Sequence, residues 1–129
     1  MGDTDPALLD RIEVRGLELL VYCGVLPEEQ ARRQPFRLDL DLYLDLGPAG
    51  RSDDLSDTAD YGAIANLLAV ELGADRFLLL ERMAQRVAEL VLDTTEVVAV
   101  TVTVSKMRPP IPVHVDTTGV RIHRRRAGD

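Results

Sequence analysis

Phe36, Leu38, Leu40, Leu42, Leu44 and Leu46 alternate with Arg37, Asp39, Asp41, Tyr43 and Asp45. A strict period of two over this length dictates an extended strand with one buried and one wet face. Such a strand needs backbone partners on its flanks and a cover over its apolar side. The rest of the chain supplies both. Ile12, Val14, Leu17, Leu19 and Val21 give an earlier strand over Ile12 to Tyr22, with Gly16 marking a bulge or register shift. Gly24 to Gln34 is polar and reads as a loop with one short turn. Val98, Val100, Val102 and Val104 share one face of a third strand, and Ala99, Thr101, Thr103 and Ser105 share the other. A last strand is expected around Gly119 to Arg124.

Between these strands the period lengthens. Gly47-Pro48-Ala49-Gly50 ends the long strand, and Ser52-Asp53-Asp54 and Asp57-Thr58-Ala59-Asp60 are rich in helix-capping residues. A helix is expected from Tyr61 to Leu72, with Gly73 as its stop. A second runs from Phe77 to Leu92, with Phe77, Leu80, Ala84, Val87, Ala88 and Val91 as its apolar stripe. The order strand, strand, helix, helix, strand, strand predicts an α+β domain. Two helices pack on one face of a four-stranded antiparallel sheet.

The length of 129 residues suits one domain, expected over residues 11–126 behind a disordered segment 1–10. A formal net charge of −7 argues against general nucleic-acid binding, which needs a basic surface. One cysteine, Cys23, precludes a disulfide within the chain, and two histidines with it make a zinc site unexpected. The acidic start lacks the basic and apolar regions of a signal peptide, and no apolar run is long enough to span a bilayer. A cytoplasmic protein without metal or membrane partner is expected.

Two charged residues break the hydrophobic pattern. Lys106 continues the series Val98, Val100, Val102, Val104, so a regular strand aims it at the core face. It either snorkels to solvent at the strand end or is a partly desolvated amine placed to move protons. Glu81 lies in line with Phe77, Ala84 and Ala88 at helical spacing, on or beside the stripe. It either pairs with Arg82, Gln85 or a neighbouring strand, or accepts two adjacent N–H donors of a ligand in a charge-assisted fork. Tyr61 begins a helix after a polar turn, where its ring can pack beside the cap or its hydroxyl can serve as acid or hydrogen-bond donor. Glu29 sits in a polar loop and by itself reads as solvated surface. Cys23 reads as a small buried hydrophobe. His114 and His123 do not complete a zinc triad, and Arg108-Pro109-Pro110-Ile111-Pro112 reads as an ordered loop between strands.

Several segments, in order from Arg11 to Arg125, resemble dihydroneopterin aldolase of the folate pathway. Ile12-Glu13-Val14-Arg15-Gly16-Leu17 resembles the family's opening strand. Gly24-Val25-Leu26-Pro27-Glu28-Glu29, followed by Gln34-Pro35-Phe36, resembles its first active-site loop. Asp53-Asp54-Leu55-Ser56-Asp57-Thr58-Ala59-Asp60-Tyr61 is similar to its most recognisable motif. Leu79-Leu80-Glu81-Arg82-Met83-Ala84 resembles the pterin-anchoring helix start, and Val104-Ser105-Lys106 with Pro109-Pro110-Ile111-Pro112 the catalytic lysine strand. The chain departs at Cys23, where many members carry histidine, and at Met107-Arg108, where proline is common after the lysine.

The resemblance implies a tunnelling fold, in which sheets of several subunits close into a barrel with active sites between subunits. A homo-oligomer, tetramer or octamer, is then expected. It implies Lys106 as catalytic acid/base with Tyr61 assisting, Glu81 anchoring a pterin, and Glu29, Tyr61 and the Leu80 backbone positioning the substrate. The implied reaction is retro-aldol cleavage of 7,8-dihydroneopterin without cofactor, metal or lysine Schiff base. A dihydropterin carries its own electron sink, a conjugated C=N. Epimerase or oxygenase chemistry at the same site, and a non-catalytic purine- or pterin-binding barrel subunit, are the alternatives. A zinc-dependent pterin synthase of similar fold is disfavoured by the histidine count.

Overall fold

The computed structural model describes residues 10–126. Ten elements follow in chain order: β1 (Arg11–Cys23), α1 (Pro27–Gln30), β2 (Gln34–Tyr43), α2 (Gly47–Ser52), a 3₁₀ turn (Leu55–Asp57), α3 (Tyr61–Gly73), β3 (Arg76–Phe77), α4 (Leu80–Thr94), β4 (Ala99–Lys106) and β5 (Thr118–Arg125). The sheet has five strands in the order β3-β1-β2-β4-β5. Four pair antiparallel, as expected, but the short β3 runs parallel to the end of β1, with Tyr22 opposite Arg76 and Cys23 opposite Phe77. The expectation of four antiparallel strands is therefore corrected to a five-stranded mixed sheet.

Phe77 explains the difference. Its apolar side chain and its spacing from Leu80 and Ala84 fit a helical stripe. Its backbone is instead committed to β3, with its carbonyl accepting from Gly24 N–H at 3.1 Å. Leu79 is extended, so α4 starts at Leu80. The buried stripe of α4 is Met83, Ala84, Val87, Ala88, Leu90, Val91 and Leu92. These residues pack against β4 and β5, while α3 packs on β1 through Ile64, Leu68 and Leu72. Phe36, Leu38, Leu40 and Leu42 of β2 and Val100, Val102 and Val104 of β4 complete the core from the sheet.

Gly16 takes φ +73°, a conformation open to glycine, where the β1–β2 register shifts between Val14 and Leu17. Pairing of β2 stops at Tyr43, three residues before the sequence pattern ends, although Leu44 remains buried. The Gly47-Pro48-Ala49-Gly50 terminator also begins α2, since a proline in the first helical turn loses no hydrogen bond. The disorder expected for residues 1–10 lies outside the described residues except at Asp10. That residue accepts hydrogen bonds from the backbone N–H groups of Leu44 and Leu46, each at 3.1 Å.

The second face of the sheet is polar but laced together. Arg15 donates to Asp41 at 2.6 Å, and Tyr43, Thr101 and His123 form a hydrogen-bonded chain across three strands. No helix among the described residues is long and apolar enough to cross a membrane.

Candidate active site

The parity of β4 decides the position of Lys106. It lies opposite Phe36 in register and on the core face, and only 8% of it is exposed. Its ammonium is ion-paired and hydrogen-bonded to Glu29, which is 5% exposed. The snorkelling and solvated-surface readings of these two residues are therefore set aside.

Glu29 reaches Lys106 because the chain folds back after β1. Gly24 has φ +152°, and a Cβ there would collide with the Glu29 side chain. Gln30 pins the fold-back by donating to the carbonyls of Gly24 at 2.5 Å and Phe77 at 2.9 Å. Gln34 donates to the Cys23 carbonyl at 3.3 Å. Burial pushes the Glu29 carboxyl up. Hydrogen bonds from Lys106, Leu26 N–H and Gln34, with the Lys106 charge, outweigh that and hold it below the usual carboxylate range. Burying such a pair contributes little net stability, because desolvation offsets the attraction. A buried, tightly coupled acid and amine at a strand end is thus a candidate for chemistry.

Cys23 lies in the same electrostatic neighbourhood. It is 1% exposed, and its thiol is pushed up to about 11, chiefly by burial, with Lys106 opposing and Glu29 and Glu81 adding to the rise. It is therefore a neutral packing group near neutral pH, as its sequence context suggests.

Glu81 is exposed in the first turn of α4, beside the stripe rather than on it. It does not pair with Arg82 or Gln85, because both turn to Glu89, at 3.6 and 3.3 Å. Among the described residues the Glu81 carboxylate has no hydrogen-bond or ion-pair partner. The helix also starts at Leu80 without a capping side chain, which leaves first-turn N–H groups to a ligand or solvent. One helix start thus offers a carboxylate that accepts and backbone groups that donate. That suits a flat heterocycle with adjacent N–H groups and a carbonyl.

Tyr61 is elsewhere. Asp60 caps α3 by accepting from Ala63 N–H at 3.0 Å, and Tyr61 follows, 63% exposed rather than packed beside the cap. The residues just before it share a cleft of about 350 Å³ with Thr94, Thr95 and Glu96, where α4 runs out toward the start of β4. Lys106 is at the far end of that strand, on the order of 20 Å away at the rise of an extended chain. Glu29, Leu80, Glu81 and Lys106 therefore gather at one end of the domain, and Tyr61 is at the other. Among the described residues no group of three or more His, Cys, Asp or Glu side chains is arranged to hold a metal ion.

Sequence reasoning missed Gln30, and it placed Gly24 and Gln34 in segments resembling an active-site loop without giving either a role. Each acts through the fold-back, and only the spacing of Gly24 to Glu29 hints at it.

Known proteins are similar to this chain over nearly its whole length. The sequence model of the FolB dihydroneopterin aldolase family matches residues 12–123. A dihydroneopterin aldolase from Streptococcus pyogenes serotype M1 is 34% identical over 119 residues, covering 92% of this chain and all (100%) of that protein. The crystal structure of a FolB protein from Vibrio cholerae is similar with a TM-score of 0.86 at 33% identity, covering 92% of this chain and 98% of that one. The Escherichia coli dihydroneopterin aldolase in complex with neopterin is similar with a TM-score of 0.83 at 31% identity, covering 90% of this chain and 99% of that one.

Proposed function

The chain belongs to the dihydroneopterin aldolase family, and on that premise we propose how its residues carry the reaction. The substrate is 7,8-dihydroneopterin, and the products are 6-hydroxymethyl-7,8-dihydropterin and glycolaldehyde. The observation that carries this reading is the buried Lys106–Glu29 pair, which acts on the Cys23 thiol from the same neighbourhood as an unpartnered Glu81.

Glu81 accepts from the paired N–H donors of the pterin ring, and N–H groups at Leu80 donate to its carbonyl. The ring so fixed points its side chain at Lys106. A base removes the proton of the 2′-hydroxyl, the C1′–C2′ bond breaks, and C2′ leaves as the aldehyde carbon of glycolaldehyde. The bond's electron pair moves into the ring C=N and forms an enamine. A proton delivered to C1′ restores the C=N and completes the hydroxymethyl group. Neither a Schiff base nor a metal is needed, because the substrate holds the electrons itself. Lys106 is the acid/base, directly or through a water. Glu29 keeps its ammonium in place and borders the side-chain hydroxyls.

Tyr61 assists proton transfer at the side-chain oxygen or the enamine carbon, and within one chain it is too far away to do so. It joins the site from a second copy. Both outer edges of the sheet support that. β5 is paired on one side only, and β3 covers only Tyr22 and Cys23 of β1. Open edges of this length are completed by another chain. A ring of copies joined edge to edge, the tunnelling arrangement, brings Tyr61 of one copy toward Lys106 of the next.

The test is incubation of the purified protein with 7,8-dihydroneopterin under reducing, anaerobic conditions, with and without a strong chelator. Equal formation of both products in the two samples is expected. Epimerised starting material without glycolaldehyde would move the assignment to an epimerase. Turnover lost in chelator and restored by zinc would refute the metal-free mechanism.

A further inference from the structure

A cavity of about 320 Å³ opens on the outer side of Glu29, lined by Glu28, Arg32, Arg33, Arg108 and Pro110 among others. Three arginines converge there in a protein whose formal net charge is −7. Arg33 is fixed in place. It donates to the Gly73 carbonyl at 2.9 Å and lies 4.7 Å from the Tyr22 ring centroid. Neither contact neutralises its charge. Arg32 and Arg108 have no hydrogen-bond or ion-pair partner among the described residues. Glu28 is the one lining carboxylate not already paired, since Glu29 is taken by Lys106. The cavity therefore keeps a positive surplus and unused guanidinium forks, the geometry that binds phosphate oxygens in pairs.

Its position narrows what it takes. No residue of α4 lines it, so it lies away from Glu81. With the ring at Glu81 and the scissile bond at Lys106, the next group along is Glu29, which pairs with Lys106 and also lines this cavity.

Resting on the aldolase reading above, we propose that this cavity is an anion subsite for a phosphate esterified to the terminal hydroxyl of the substrate's side chain. The 3′-phosphate ester of 7,8-dihydroneopterin is then a substrate in its own right. The same C1′–C2′ bond breaks, with the 2′-hydroxyl proton removed and one proton delivered to C1′. The phosphate ester bond stays intact, and the products are 6-hydroxymethyl-7,8-dihydropterin and glycolaldehyde phosphate.

The experiment compares kcat/KM for the ester and for 7,8-dihydroneopterin in the wild-type protein and in the Arg32→Ala/Arg108→Ala double variant, at fixed ionic strength. A third arm adds millimolar inorganic phosphate. Both arginines are exposed, and circular dichroism and light scattering check the fold and assembly of the variant. The ester is expected to be preferred by the wild type. The ratio of the two kcat/KM values should fall on the order of 10- to 100-fold in the variant, the range for losing charged hydrogen bonds. Inorganic phosphate should compete with the ester and spare the alcohol. No preference for the ester, or an unchanged ratio in the variant, overturns the proposal. So does equal inhibition of both substrates by inorganic phosphate, which marks a site for the free ion. Loss of assembly in the variant, with both activities falling together, also overturns it, because the arginines then face a partner copy. Failure of the wild type to cleave 7,8-dihydroneopterin is a separate result and refutes the aldolase reading instead.

Discussion

At the residue scale, binding and chemistry are assigned to different side chains, which makes them separable by measurement. Removing Lys106 takes away a proton-transfer group, worth about 10²- to 10⁴-fold in rate, and leaves the ring contacts in place. Removing Glu81 takes away two charge-assisted hydrogen bonds, at about 1–3 kcal/mol or more. Lys106→Ala is therefore expected to bind the pterin nearly as wild type but fail in single turnover, and Glu81→Ala to bind it on the order of 5- to 150-fold more weakly. Pterin dissociation constants and single-turnover rates for both variants check this. A Lys106→Ala protein that turns over normally contradicts the assignment. Lys106 was legible as a break in a run of core-facing valines, but that pattern alone left strand-end snorkelling open, and its catalytic role came from the family resemblance. Its partner was not legible even as a break, because Glu29 lies 77 residues earlier in a polar loop that sequence alone reads as surface. Only the Gly24 fold-back buries it.

At the element scale, legibility followed periodicity. β2 and β4 alternate cleanly and pair in the register that puts Leu38 opposite Val104 and Leu42 opposite Val100. Where a residue satisfies two periods, the reading fails. Phe77 fits a helical stripe but completes β3, because a two-residue parallel strand leaves no pattern of its own. The far end of α4 holds another contact that pattern cannot show. Arg126, just past β5, donates to the carbonyls of Leu92 at 2.7 Å and Val97 at 2.6 Å, and also to that of Thr95. It ties off carbonyls that the helix end and the following turn leave unpaired, and its charge complements the helix dipole. Arg126→Ala is expected to destabilise the fold by about 1–3 kcal/mol. That would appear as a lower midpoint in urea unfolding with an unchanged slope. An unchanged midpoint would show that solvent replaces these bonds at no cost.

At the scale of the whole molecule, the proposed mechanism needs more than one chain. A single chain holds Lys106, Glu29, Leu80 and Glu81 at one end and Tyr61 at the other, and its sheet ends in open edges. The sequence carried the family motif around Tyr61, but no period or spacing says which copy of a chain a side chain serves. The most direct measurement is complementation between two crippled proteins. Tyr61→Phe and Lys106→Ala are each expected to lose about 10²- to 10⁴-fold in rate. The two are co-expressed with different tags, the mixed assemblies are isolated, and 7,8-dihydroneopterin cleavage is assayed. If a site takes Lys106 from one copy and Tyr61 from another, random mixing restores about a quarter of the sites and a matching share of wild-type activity. If both residues serve within the same chain, no intact site can form, and mixed assemblies as inactive as the parents would contradict the shared site.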